Sequence, residues 1–248
     1  MAKAVMKILP QYDITYLGDT ARTPYGNKSP RVVIDYAIQN ADFISKKGAK
    51  IIIIACNTAS SVAFASIVKR FNIPIFEVID PAVEWSLKES KSLRIGVIGT
   101  RTTVATGIYE KKIKQIKQKA KVFSKACPLL VPLVEEGWLK KPETTMIVKK
   151  YLHSLKVKKI DTLILGCTHY PLLKNIIQRK IGKRVTVIDS SDAVAARVKE
   201  LLEKNQSLDL SMKKNKVFDL YVSDRTSQFE KTAKEILGKK ISLQDVRL

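Results

Sequence analysis

Short apolar runs alternate with longer stretches of helical period along most of this chain. The apolar runs predict strands at 14–17, 51–55, 75–79, 94–98, 162–165 and 185–188. Between them, apolar positions recurring every three or four residues predict helices at 2–9, 29–47, 60–71, 82–90, 106–121, 142–155, 171–181, 192–205 and 227–237. Ile51-Ile52-Ile53-Ile54 is continuous and β-branched, which suits a strand covered on both faces of a parallel sheet. Strands alternating with helices of this length imply α/β layering, with helices on both sheet faces.

The pattern repeats. The stretch from Ile51 to Thr58 resembles that from Asp161 to Thr168: an apolar strand, a cysteine, a hydroxyl residue, then a helix. Cys56 and Cys167 lie 111 residues apart, and the aspartates of two Val-Ile-Asp tripeptides, Asp80 and Asp189, lie 109 apart. Two ordered matches at nearly one offset point to a duplicated unit. The expected fold is α/β, with two similar doubly wound parallel-sheet domains related by pseudo-symmetry and the active site in the cleft between them. The first domain is expected to hold 1–80 plus 190–248, and the second 81–189. The repeat also predicts a gap. The strand at 94–98 ends in Gly99-Thr100, 68 residues before Cys167, and the same offset from Cys56 falls before Met1. The first domain is therefore expected to be N-terminally truncated, without its opening strand and loop, because losing a central strand would leave open ladder edges.

Composition narrows the class. Of the 248 residues, 45% are hydrophobic and 27% charged, as in a globular chain rather than a disordered one. No apolar run approaches the roughly 18 residues that cross a bilayer, and Lys7 and Pro10 interrupt the N-terminal apolar stretch, so the expected location is cytoplasmic, with no membrane partner. The three cysteines are far apart and form no Cys-x-x-Cys pair, which argues against a disulfide framework, and two histidines are too few for a structural zinc site. A net charge of +22 raises nucleic-acid binding. The basic residues are dispersed, however, and no aromatics interleave with them as a stacking platform needs. A solvated lysine-rich surface, with no specific nucleic-acid site, is the better reading.

Each of Cys56 and Cys167 is predicted at the carboxyl end of a buried strand, where open α/β sheets bind ligands. A helix N-terminus there would favour a thiolate. Its amides, with Asn57, Thr58 and Thr168, would cradle a carboxylate. Two such thiols facing one cleft suit proton removal from one face of a carbon and delivery to the other, which inverts a stereocentre. Either cysteine alone could be a packing residue, since free cysteine is often buried. A single nucleophilic cysteine assisted by His169 is another reading, but it leaves Cys56 unexplained.

Ala55-Cys56-Asn57-Thr58-Ala59 and Leu165-Gly166-Cys167-Thr168-His169-Tyr170-Pro171 resemble the two signature segments of glutamate racemases, within the aspartate/glutamate racemase superfamily. Tyr16-Leu17-Gly18-Asp19, Pro24-Tyr25-Gly26, Val131 to Gly137 and the closing stretch from Phe229 to Gly238 extend the resemblance over essentially the whole chain. It implies cofactor-independent interconversion of L- and D-glutamate by two-base proton transfer, without pyridoxal phosphate or metal, supplying D-glutamate for peptidoglycan. By that resemblance Cys56 acts on the D-enantiomer and Cys167 on the L-enantiomer, and Tyr25, Gly26, Asn57, Thr58, Thr168 and His169 bind substrate. Glu135, rather than Glu136, is the implied acidic assistant, with His169 also in the catalytic set. Cys127 and His153 match no catalytic position. The family's opening strand and Asp-Ser-Gly loop have no counterpart here, which leaves Cys56 without expected support. The expected partner is glutamate, with a homodimer left open. The alternatives are an aspartate racemase or related isomerase, or a binding or regulatory protein with impaired catalysis.

Overall fold

The computed structural model describes residues 1–237 and 242–248. Gly238, the end of the closing stretch named above, lies outside the described residues. Nine strands are found among those described: β1 (Ile14–Gly18), β2 (Ile52–Ile54), β3 (Ile75–Glu77), β4 (Arg94–Gly99), β5 (Lys121–Ala126), β6 (Thr162–Gly166), β7 (Thr186–Ile188), β8 (Phe218–Val222) and β9 (Leu243–Asp245). The helices that matter for packing are α1 (Ala2–Ile8), α2 (Pro30–Lys46), α3 (Asn57–Arg70), α4 (Ile79–Glu89), α5 (Arg101–Ala105), α6 (Ile108–Ile116), α7 (Leu130–Glu135), α8 (Pro142–Val157), α9 (Lys174–Ile181), α10 (Ser191–Lys204), α11 (Gln206–Ser211) and α12 (Ser227–Leu237). None of the described helices is long and apolar enough to cross a membrane.

All the ladders are parallel, and one sheet runs in the order β5-β4-β6-β7. Period-2 alternation sends its side chains to two cores. Leu163 and Leu165 pack with Val148, Leu152 and Leu155 of α8 and with Ile176, Ile177 and Ile181 of α9. Ile95, Val97 and Ile164 pack with Ile79, Ala82 and Val83 of α4 and with Tyr109 and Ile113 of α6. Both faces are thus covered, as the near-continuous apolar strands require.

The remaining strands form two ladders, β1-β8-β9 and β2-β3. They share helical covers. Ile14 of β1, Ile53 of β2 and Phe76 of β3 all pack onto the cluster formed by α1 and α10. On the other face, Ile52 and Ile54 meet Val33, Ala37 and Ala41 of α2 and Ala63 and Ile67 of α3. The repeat equates β1, β2 and β3 with β5, β6 and β7. In the second sheet β4 joins β5 to β6, whereas no described strand joins β1 to β2.

The structure corrects several sequence expectations. The helix expected over 106–121 is shorter: α6 starts only after Gly107, whose φ of +62° lies in the left-handed region, and ends at Ile116, and the chain then enters β5. Strands β5, β8 and β9 and helices α5, α7 and α11 were not expected. The helix expected over 171–181 begins as a tight 3₁₀ turn, Tyr170–Leu173, before α9. Lastly, β8 returns beside β1 in parallel register, Ile14 opposite Phe218.

Candidate active site

Cys56 caps the N-terminus of α3, which starts one residue later, and its carbonyl accepts from Ser60 N–H at 2.8 Å. Burial pushes its thiol pKa up, while the amides of Ala59 and Thr58 and the Thr58 hydroxyl pull it down, and the nearby Cys167 raises it further. A thiolate at Cys56 has helix amides as its main stabiliser.

Cys167 follows β6 and is 6% exposed. The expected helix N-terminus is absent at this position: Cys167 leads into the 3₁₀ turn, with Tyr170 N–H donating to its carbonyl at 3.1 Å. Its support is a side chain instead. Cys167 Sγ lies 3.8 Å from His169 Nδ1, and His169 Nε2 lies 3.3 Å from Glu135 Oε1 at the end of α7. Burial opposes the imidazolium, but the Cys167 thiol and the Glu135 carboxylate outweigh it and push His169 up to about 10. A protonated imidazole between thiol and carboxylate can stabilise a thiolate or return a proton to it. Glu136 is exposed, so of the two acidic candidates Glu135 is the one beside His169.

Asn57 and Thr58 are buried at the start of α3, whereas Thr168 is exposed and His169 is half-buried. Tyr109 of α6 donates to Asn57 Oδ1 at 2.5 Å. The Thr58 hydroxyl lies 3.0 Å from that of Thr100 and 3.3 Å from that of Thr103. Asn57 and Thr58 are thereby tied to elements of the β4 sheet. Tyr25 and Gly26 form a 3₁₀ turn that leans on the start of α5, where the Thr102 hydroxyl donates to the carbonyls of Gly26 at 3.1 Å and Lys28 at 3.0 Å. Tyr25 donates to buried Asp19, which also accepts from Arg22 at 2.8 Å and Ser223 at 2.9 Å. This network fixes the turn.

Sequence reasoning missed Tyr109, Thr100, Thr103 and Asp19 as partners of the candidate residues. Only Tyr109 left a signal: a tyrosine on the apolar stripe of a lysine-rich helix needs a partner for its hydroxyl. Cys127 is fully buried, with its thiol pushed up to about 12 by burial, and His153 is exposed on α8. A surface groove of about 200 Å³ between α7 and α12, lined by Val134, Gly137, Leu172, Gln228, Lys231 and Ile236, touches neither Cys56 nor Cys167. The site is therefore defined by its chemistry rather than by that groove.

Comparisons with known proteins converge on one family. The model of the Asp/Glu/hydantoin racemase family matches residues 1–198. A glutamate racemase of Aquifex aeolicus is 44% identical over 239 residues, covering 96% of this chain and 89% of the relative. The crystal structure of a glutamate racemase isoform from Bacillus anthracis superposes with a TM-score of 0.92 at 34% identity, covering 100% of this chain and 92% of that one. A glutamate racemase from Francisella tularensis, solved in complex with D-glutamate, gives a TM-score of 0.91 at 34% identity, with coverages of 99% and 91%.

Proposed function

The chain belongs to the Asp/Glu/hydantoin racemase family, and we propose that it interconverts L- and D-glutamate by proton transfer between Cys56, Cys167 and the substrate α-carbon. The observation that carries the reading is that two matched strand ends each present a cysteine with its own polar support: Cys56 caps the N-terminus of α3, and Cys167 lies 3.8 Å from His169, which is paired with Glu135. One thiolate removes the α-proton while the opposed thiol delivers a proton to the other face of the carbon. No net oxidation occurs, and the two cysteines exchange protonation states with each inversion. In the D-to-L direction Cys56 is the base and Cys167 the acid. The reverse direction swaps the roles.

The α-proton of an amino acid is weakly acidic, so the site must stabilise charge developing on the substrate carboxylate. Asn57, Thr58 and Thr168 are assigned to the substrate, as are the Tyr25–Gly26 turn and His169. Cys167 and Glu135 together hold His169 protonated, so the imidazolium has a proton to exchange with the Cys167 sulfur 3.8 Å away. The same reading takes the protein as two domains, 1–80 plus 190–248 and 81–189, with substrate between them. It puts the reaction in the cytoplasm and assigns the product D-glutamate to peptidoglycan assembly. A second reading, a glutamate-binding protein with weak turnover, draws on the interrupted ladder beside β2, the strand that leads to Cys56.

The test is racemisation of D-glutamate followed by circular dichroism, with D-aspartate in parallel, together with solvent deuterium uptake at the α-carbon. Inversion with exchange is expected for glutamate. Cys56→Ala and Cys167→Ala should each abolish inversion. Full activity in either variant would refute the two-base assignment, and absence of exchange with pure, folded protein would leave only the binding reading.

A further inference from the structure

Tyr109 touches both cysteine-bearing turns. Its Oη donates to Asn57 Oδ1, one residue after Cys56, at 2.5 Å. Its ring also backs Gly166, one residue before Cys167: a Cβ placed on that glycine would stand 3.3 Å from Tyr109 Cε2 and 2.8 Å from the Ile98 carbonyl oxygen. Tyr109 and Asn57 are each 3% exposed, so neither contact is shared with bulk water. The tyrosine sits on α6 against the β4 sheet, and the asparagine opens α3 against β2.

A carboxamide is not symmetric: its oxygen accepts and its NH2 donates. With Oδ1 committed to Tyr109, the Nδ2 donors are the part of Asn57 left for another acceptor. Nδ2 makes no hydrogen bond to a described residue, and since no unpartnered side-chain nitrogen among those described is fully buried, it faces accessible space. A flipped amide would instead present its oxygen to any carboxylate bound there, exchanging a hydrogen bond for repulsion. Burial holds the Tyr109 phenol well above its ordinary pKa, so the hydroxyl keeps the proton it donates.

We propose that Tyr109 is a positioning residue for glutamate: its hydroxyl fixes the Asn57 carboxamide with Nδ2 turned to a substrate carboxylate, and its ring sets the spacing between that amide and the Gly166–Cys167 turn. The inference rests on the racemase reading for the identity of the ligand. Tyr109→Phe separates the two contacts, because it keeps the ring against Gly166 and removes only the donor. Tyr109→Ala removes both.

The experiment measures D-glutamate dissociation constants by calorimetry on the full chain carrying Cys56→Ser and Cys167→Ser, so that binding is read without turnover. Adding Tyr109→Phe should weaken binding roughly five- to tenfold, the loss expected for one buried hydrogen bond to a charged ligand's binding group. Asn57→Ala should weaken it at least as much, and the double variant should bind no more weakly than Asn57→Ala alone. A structural role would not give that non-additivity. A dissociation constant unchanged by Tyr109→Phe, or additive losses in the double variant, would overturn the proposal, even if the melting temperature fell. Racemisation by the wild-type chain is measured alongside. Absent turnover with binding and non-additivity intact would remove the racemase reading and leave the positioning role standing. Absent glutamate binding would overturn both.

Discussion

Replacing Gly26 with alanine sets a methyl carbon against Thr100. The new Cβ would lie 2.5 Å from Thr100 Cβ, 2.6 Å from Cγ2 and 3.1 Å from Oγ1, where unstrained carbon pairs sit at about 3.5–4.0 Å. Thr100 cannot easily swing aside. Its Oγ1 caps α5 by accepting from Thr103 N–H at 3.2 Å, and the same hydroxyl bonds Thr58 at 3.0 Å. Its β-branched side chain has few alternative rotamers. Moving the Tyr25–Gly26 turn instead would break the bonds from Thr102 to the Gly26 and Lys28 carbonyls. Either route costs about 2 kcal/mol, the middle of the range for overpacking and comparable to losing one cap and one hydrogen bond. For a chain of this size that corresponds to a fall in Tm of roughly 4–8 °C. KM for glutamate should rise at the same time, because the displaced turn is assigned to the substrate. Thr100→Ser in the Gly26→Ala background removes Cγ2 but keeps Cβ, so it should recover only part of the loss. Calorimetric melts and initial-rate racemisation supply both readings. A Gly26→Ala protein with unchanged Tm and KM would refute the packing argument.

The His169–Glu135 pair sets a pH dependence. Because His169 is raised from its ordinary value to about 10, the stability gained from its protonated form is fully present below about 6.5 and is lost as pH rises through about 10. Melts from pH 6 to 11 should show a decline toward alkaline pH that His169→Gln lacks, and a wild-type curve no steeper than the variant's would count against the pairing. Glu135→Gln removes one of the groups holding the proton, so the alkaline limb of kcat/KM should move to lower pH. Coincident profiles would sink the assigned role of Glu135. Asp19→Asn leaves the Arg22 guanidinium, 17% exposed at its side chain, without its carboxylate, and should cost about 3 kcal/mol, the low end for breaking a buried pair. Urea unfolding with an unchanged m-value would read that loss as a lower midpoint, while an unshifted midpoint would show the network to be dispensable.

What was legible in the sequence is what local pattern encodes. The buried strands β2, β4 and β6 announce themselves because they are apolar on both faces, and the cysteines at the ends of β2 and β6 stand out by repetition. Edge strands carry less information. In β5, Lys121 and Lys125 flank Val122 and Phe123, as edge strands tend to be lysine-rich, and the segment blends into the basic helix before it. In β8, Asp219 interrupts the apolar run between Phe218 and Leu220. The turn after Cys167 was misread because a proline at Pro171 suits a first helical turn, and whether that turn is α or 3₁₀ depends on Tyr170, which reaches the carbonyls of Gly99 and Cys127 at 3.1 and 2.9 Å. Such contacts join residues tens of positions apart. The same holds for the Thr58 partners, Thr100 at the start of α5 and Thr103 within it, which have no periodic signature. The likeness between the two cysteine segments also concealed their difference: helix amides serve one thiol, and an imidazole and a carboxylate serve the other.

The interruption between β1 and β2 has a thermal consequence. In the other sheet, β4 is hydrogen-bonded on both sides, and opening it means breaking two ladders at once. Among the described residues β1 and β2 each hold a ladder on one side only, β2 through three residues paired with β3. Local opening costs least where fewest bonds and contacts cooperate, so amide exchange begins at these strands well below the global transition. Cys56 is anchored at the end of the weaker ladder and Cys167 at the end of the stronger one. Warming therefore loosens one partner of the pair while the other stays in register, and an activity that needs both is limited by the stability of β2 rather than by the melting of the whole chain.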